Sequence, residues 1–315
     1  MSSTRAMWHA VAGLTAVGAG GLAYASLIER NAFTLRRATV PVLPPGVATL
    51  RVLHISDIHL LPRQSRKIEW IRQLAALDPD LVINTGDNLA DLQAVPALLR
   101  ALEPLLEVPG VFVLGSNDYF APTIKNPGLY LTSEPARANE SIPLPTADLV
   151  DAFTNAGWAD LSNARAALTV GGQKLEFVGV DDAHLNYDRY AAVAGPVDSS
   201  AALTIGVTHA PYRRILDAMT ADGADLVIAG HTHGGQLCLP FYGTLVTNCD
   251  LDRSRAKGVS RWWPGAGSTP SSQAPEGAAW LEVSAGIGTS PYAPVRFACR
   301  PEATLLTMTA KRANG

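Results

Sequence analysis

The sequence predicts an α/β fold, and three observations carry that prediction. From Thr49 onward, short apolar runs alternate with stretches of helical period. Polar clusters close three successive runs at a constant spacing, and two histidine-rich clusters close later ones. A chain of 315 residues that is 47% hydrophobic and 17% charged has enough apolar content for one large α/β domain or two smaller ones.

Residues Met7 to Ile28 come first, 22 positions without Asp, Glu, Lys or Arg. That length would let a helix cross a hydrocarbon core of about 30 Å. A membrane anchor, a cleaved signal peptide and a helix buried in the domain are all compatible with such a run. Arg5 precedes it, no small-residue cleavage site ends it, and Arg30, Arg36 and Arg37 follow, so an uncleaved single-pass anchor is the expectation. The same charges lean toward a catalytic domain on the cytoplasmic side of the cell membrane. Residues 1–30 are read as anchor, 31–47 as linker and 48–310 as the catalytic domain.

Within that domain LRVLHIS, DLVINT, VFVL, LEFVGV, LTIGVT, DLVIAG, WLEVS and TLLTMT read as strands. RKIEWIRQLAAL places Ile68, Ile71, Leu74, Ala75 and Leu77 near one helical face, and DLQAVPALLRALEPLL follows with Pro96 near a helix start or kink. YRRILDAMTADG is a third helix that Gly223 ends. Residues 121–147, with five prolines, and residues 250–278, rich in Ser, Gly and Pro, read as long irregular loops. The second loop carries Arg253, Arg255, Lys257, Arg261, Trp262 and Trp263. That cluster suits either a solvated loop plugging an apolar gap or a hold on an anionic or lipid-like substrate.

Net charge is -3, so no broad basic field suggests a nucleic-acid partner, and no protein partner is indicated. Cys238, Cys249 and Cys299 have neither the number nor the spacing of a disulfide framework or a zinc ribbon.

The chemistry lies in the clusters. SDIH, GDN and GSND close the first three strands, and Asp57, Asp87 and Asn117 stand 30 residues apart, about one βαβ unit. Right-handed crossovers gather such strand ends along one edge of a sheet, where open α/β folds bind ligands. Carboxylates crowded there need a cation. THAP and GHTHGG add His209, His231 and His233, and His59 lies two residues after Asp57. Seven nitrogen or oxygen donors (Asp57, His59, Asp87, Asn117, His209, His231 and His233) exceed one tetrahedral ion and suit two divalent ions sharing a carboxylate. Imidazole and carboxylate without thiolate favour Mn, Fe or Zn over Ca.

In this order DIH, GDN, GSND, THAP and GHTHGGQ resemble the calcineurin-like metallophosphoesterase superfamily. The stretch GIGTSPYAPVRFACRPEATLL is similar to its membrane-associated bacterial branch. The resemblance spans roughly residues 48–309. It implies a four-layer α/β-β/α sandwich of two mixed sheets and a dinuclear site in which Asp57, His59 and His233 hold one ion, Asp87 bridges, and Asn117, His209 and His231 hold the other.

GSND departs from the family's Gly-Asn-His-Asp or Gly-Asn-His-Glu. Aligned without a gap, Ser116 takes the ligand position and Asn117 the histidine. A one-residue slip keeps Asn117 as ligand and loses only the histidine, and the slip is preferred because a carboxamide oxygen is a better donor than a neutral hydroxyl. Asp87, Asn117, Asp118 and His184 are the side chains expected at the chemistry. Asp118 could orient Asn117, donate a proton or merely close a turn. His54 is read as core. The expected function is a metal-dependent phosphodiesterase or pyrophosphatase, on a phosphoester small molecule or a lipid-linked or nucleotide-sugar substrate. A metal-binding membrane scaffold or sensor that has lost turnover is the alternative.

Overall fold

Apolar runs flanked by turn residues become strands because pleated backbone satisfies its own hydrogen bonds while burying both faces. The computed structural model describes residues 2–123 and 142–311, so most of the proline-rich stretch 121–147 lies outside the described residues. It contains two six-stranded sheets.

The first sheet has β1 (Thr34–Leu43), β2 (Leu50–Ile55), β3 (Leu81–Asn84), β4 (Gly110–Phe112), β5 (Ala159–Asp160) and β14 (Glu302–Ala310), in the order β1-β14-β2-β3-β4-β5. The second has β6 (Arg165–Val170), β7 (Gln173–Gly179), β8 (Leu203–Thr208), β9 (Leu226–Ala229), β12 (Gly258–Trp262) and β13 (Ala279–Val283), in the order β12-β13-β9-β8-β7-β6. A two-stranded hairpin, β10 (Cys238–Leu239) and β11 (Gly243–Thr244), stands apart. Both large sheets are mixed. β2, β3, β4 and β5 run parallel beside antiparallel β14, and β7, β8, β9 and β13 run parallel between antiparallel β6 and β12.

Three buried apolar clusters define the layers. Val52, Ile83, Val111 and Leu306 of the first sheet meet Phe177, Ile205 and Ile228 of the second in a shared core. On the outer face of the first sheet lie α2 (Ser65–Gln73), α3 (Ala94–Leu102) and α5 (Thr146–Asn155). α6 (Arg213–Ala221) covers the second sheet through Ile215, Leu216 and Met219. The order is helix, sheet, sheet, helix. Pro96 is the third residue of α3, where its missing N–H costs nothing, and Gly223 closes α6 with a left-handed φ of +109°.

Two expectations fail. The stretch read as linker is mostly β1, which pairs in parallel with β14 from Thr34↔Glu302 onward; its arginines and Pro41 suit an edge strand rather than a tether. The N-terminal run forms α1 (Ser2–Ala23), but among the described residues no helix is long and apolar enough to cross a membrane. Lack of charge misled, since Ala and Gly carry little transfer free energy and α1 holds Gly13, Gly18, Gly20 and Gly21. The chain beyond α1 packs on the domain instead: Ala25 is buried, its carbonyl accepts from Arg296 N at 3.1 Å, and Glu29 Oε1 accepts from Cys299 N at 2.7 Å. The expected single-pass anchor is withdrawn.

Candidate metal centre

Each expected ligand follows the carboxyl end of a parallel strand. Asp57 and His59 follow β2, Asp87 follows β3 and Asn117 follows β4, in the single turn α4 (Ser116–Tyr119); His209 follows β8, and His231 and His233 follow β9. Five of these residues have left-handed backbone: Asp57, His59, Asp87, His231 and His233 have φ between 42° and 69°. Such strain persists only where the surroundings impose it. Here they do, because Asp57 N, His59 N and Leu60 N donate to the carbonyls of Gly86, Asp87 and Asn88, each at 2.9 Å.

Two groups of ligand atoms lie within 4.8 Å of one another: Asp57, His59 and His233 in one, Asp57, Asp87 and His209 in the other. Asp57 is common to both. Asp87 Oδ2 is 3.5 Å from His59 Nε2 and 3.5 Å from His209 Nε2, so it touches an imidazole of each group. His231 belongs to neither set, although its ring lies 5.2 Å from that of His209. Asn117 donates its backbone N–H to Asp87 Oδ1 at 2.7 Å, and the tip of its carboxamide is 3.1 Å from Asp87 Oδ2.

Hydrogen bonds choose the free nitrogen of two rings. His209 Nδ1 donates to Thr85 O at 2.7 Å, and the buried Nε2 has no hydrogen-bond partner, so Nε2 is the nitrogen left to take a proton or a metal ion. His231 Nε2 donates to Asn248 O at 3.1 Å, leaving Nδ1 for a ligand bond. Donors of this kind, buried and converging, fit divalent metal ions.

The electrostatics agree. Burial would by itself lower the His209 pKa, but Asp87, Asp57 and Asp182 push it up to about 9. Burial, helped by Lys67, His209 and Arg296, lowers His59 to about 4, and burial holds His231 and His233 well below the usual imidazole range. Burial and the neighbouring Asp87 raise Asp57. Burial opposes ionisation of Asp87 as well, yet the His209 and His59 rings hold it below the ordinary carboxyl range. Two buried carboxylates beside imidazoles that burial holds neutral form a donor set that a metal cation would neutralise.

Asp118 acts on Asp87 rather than on Asn117. Its buried carboxylate accepts from Asp87 N and Asn88 N at 2.8 Å and from Gly115 N at 3.0 Å, which fastens the GDN loop. Gly115 is dictated by closeness: a Cβ there would lie 2.4 Å from Asp87 Oδ1. His184 does reach the site; its ring centre is 4.8 Å from that of His231, and its Nδ1 is 3.1 Å from the Tyr212 hydroxyl. Of the basic and aromatic cluster, Lys257 packs against Gly234 beside His233, whereas Arg255 and the tryptophans lie elsewhere. Trp262 is buried beside α6, and Arg255 lies over both tryptophans while donating to the carbonyls of Gly267, Arg261 and Thr269, so these side chains plug a gap.

Several supports had no signal in the sequence. Lys67 Nζ donates to Ile58 O at 2.7 Å under the first ligand loop, and buried Arg296 donates to the carbonyls of Ala285, Gly286 and Gly288 behind His233. Gly288 must lack a side chain, since a Cβ would stand 2.0 Å from Ile58 O. Distance along the chain hides Arg296 and Gly288, whereas Lys67 lies close in sequence and is hidden because lysines are seldom buried.

Two mixed sheets with a carboxylate and imidazole cluster at their joined edge define a metal-dependent hydrolase. The family model for calcineurin-like phosphoesterases matches residues 50–235, and the chain belongs to that family. It is thus a metal-dependent phosphoester hydrolase. Over 316 residues it is 25% identical to the uncharacterized metallophosphoesterase YkuE of Bacillus subtilis, covering 96% of this chain and 95% of that one. It is also 25% identical over 317 residues to the phosphodiesterase YaeI of Escherichia coli, covering 98% and 100%.

Proposed function

We propose that the chain is a phosphodiesterase whose dinuclear centre is held by Asp57, His59, Asp87, Asn117, His209, His231 and His233. The observation that carries the reading is the buried, partnerless His209 Nε2 aimed at Asp87 Oδ2, a geometry that makes sense around a cation. When bound, two such ions, Mn, Fe or Zn by donor type, activate a water and neutralise phosphoryl oxygens. The protein's own residues set the rest. Asp87 faces an imidazole of each group and would be the carboxylate shared between the ions. Asn117 Nδ2 donates to Asp87 Oδ2 at 3.1 Å, and a flip of the amide would bring Oδ1 to the same position, where it could serve an ion held beside Asp87.

The position before Asp118 is asparagine, which cannot protonate a leaving group. General acid help is worth about 10²- to 10⁴-fold and matters most for poor leaving groups. His184, packed against His231, is the imidazole beside the ligand set that can supply a proton. Because His184 lies beside His231 rather than beside Asp118, diesters and pyrophosphates whose leaving groups need little protonation are the favoured substrates, nucleotide-sugar and lipid-linked esters among them. Similarity to the phosphodiesterase YaeI of Escherichia coli supports the same class.

The test compares bis-para-nitrophenyl phosphate with para-nitrophenyl phosphate under added Mn²⁺, with Asp87→Asn as control. The diester should be the faster substrate and Asp87→Asn should abolish turnover. Metal binding without hydrolysis of either ester would instead favour a binding protein that has lost turnover.

A further inference from the structure

A continuous run of buried hydrogen bonds leads from the second sheet to the metal centre. Glu282 of β13 places Oε2 2.5 Å from Nδ1 of His54 in β2. His54 Nε2 is 2.8 Å from Thr85 Oγ1, Thr85 Oγ1 donates to Ser56 Oγ at 2.7 Å, and Ser56 Oγ donates to Asp57 Oδ2 at 2.5 Å. All five residues are fully buried. Nothing in the proposed chemistry uses the first four.

Proton counting gives the run a direction. Each hydroxyl has one proton; Ser56 spends its own on Asp57 and Thr85 spends its own on Ser56, so His54 must donate Nε2–H to Thr85. The proton between His54 Nδ1 and Glu282 Oε2 completes the series, whichever atom carries it. From His54 Nε2 onward every donor therefore points toward Asp57 Oδ2. The other oxygen, Oδ1, faces the centre, 3.5 Å from His233 Nε2, and its only hydrogen bond among the described residues is a share of the His231 backbone N–H, which reaches Oδ1 at 3.2 Å and Oδ2 at 3.0 Å.

We infer that Glu282, His54, Thr85 and Ser56 are positioning residues that hold Asp57 Oδ2 and thereby present Oδ1 to the metal. Buried donor chains orient a ligand and fix which of its atoms is free, and such partners of metal ligands typically matter by about 10- to 100-fold in metal affinity. A separate observation agrees. A Cβ on Gly230, the residue before His231, would lie 1.9 Å from Ser56 Oγ, 2.7 Å from Asp57 Oδ2 and 3.0 Å from Thr85 Oγ1. The glycine of GHTHGG is thus packed on the middle of the chain. Because Glu282 and His54 sit on different sheets, the chain also ties the docking of the sheets to the orientation of a ligand.

The inference rests on the reading of Asp57 as a metal ligand, and the test keeps the two apart. Mn²⁺ is titrated calorimetrically into chelator-stripped full-length protein, alongside the melting temperature of the stripped form. Thr85→Val breaks the chain at nearly constant volume and should raise the Mn²⁺ dissociation constant about 10- to 100-fold, while Thr85→Ser, which restores the hydroxyl, should return it to near the wild-type value. Glu282→Gln should shift it in the same direction by less. Thr304 is the control: it is the register partner of His54, buried, with a hydroxyl that has no hydrogen-bond partner, so Thr304→Val should leave the affinity unchanged. Wild-type protein that ignores Mn²⁺ would overturn the metal reading itself. Wild type that binds, with Thr85→Val binding equally well or merely melting earlier, would overturn the positioning chain alone.

Discussion

The two sheets contribute unlike halves of one site. The first supplies Asp57, Asp87 and Asn117 with a single imidazole, His59, whereas the second supplies only imidazoles, His209, His231 and His233. The ligand loops are also held differently. Those of the first sheet are zipped to one another through backbone bonds and the Asp118 carboxylate, while His209 and His231 are each aimed by donating to a distant carbonyl. Carboxylates on adjacent strands repel, and cations held between the two halves would offset that repulsion while the imidazoles opposite supply neutral donors. Neither sheet makes a centre alone.

Exchange of one ligand from each side is the strongest way to break the comparison. Asp87→Asn should lower kcat/KM about 10³-fold or more, roughly 4 kcal/mol of transition-state stabilisation, because the carboxylate touching both groups loses its charge. His209→Ala should cost less, since it removes one donor from one group, and steady-state kinetics at saturating Mn²⁺ would rank them. Equal losses would mean that the halves are not asymmetric.

The shared core comes next. Phe177 is wholly buried between the sheets, and Phe177→Ala should destabilise the protein by about 3–5 kcal/mol in denaturant melts. Mn²⁺ affinity should fall with it, because the ligands meet only while the sheets stay docked. Asp118→Asn sharpens the contrast within the first half. It should weaken Mn²⁺ binding about 10- to 100-fold by slackening the GDN loop, with the His209 arm untouched.

The smallest effect lies outside the centre. Asp252 accepts from Ser254 N at 2.9 Å at the start of a short helical turn, and Asp252→Ala should cost about 0.5 kcal/mol. Bonding to Ser254 holds the Asp252 pKa below its ordinary value, so this contribution is present above pH 4 and is lost as pH falls through the lowered folded value. The wild-type and variant melting curves should converge in acid.

The sequence made legible those parts whose cause is local. Eight strands are readable because runs buried on both faces are predominantly apolar, and the candidate site residues are legible as a group because polar clusters close five such runs in order. β1 was missed because an edge strand with Arg36, Arg37 and Pro41 alternates weakly, and α5 because it adjoins the proline-rich stretch. The Met7–Ile28 run was misread because absence of charge is not the same as greasiness. His54 was taken for core and is buried as expected, but its partner Glu282 lies 228 residues away, and only the packed sheets bring them together.

The left-handed backbone at Asp57, His59, Asp87, His231 and His233 has a consequence for drift and for redesign. Besides glycine, the residues that occupy such conformations most readily are Asn, Asp and His, nearly all of them able to bind ions. Substitutions that spare the loops will therefore tend to leave a donor in place, and a descendant that loses its turnover can be expected to go on collecting metal.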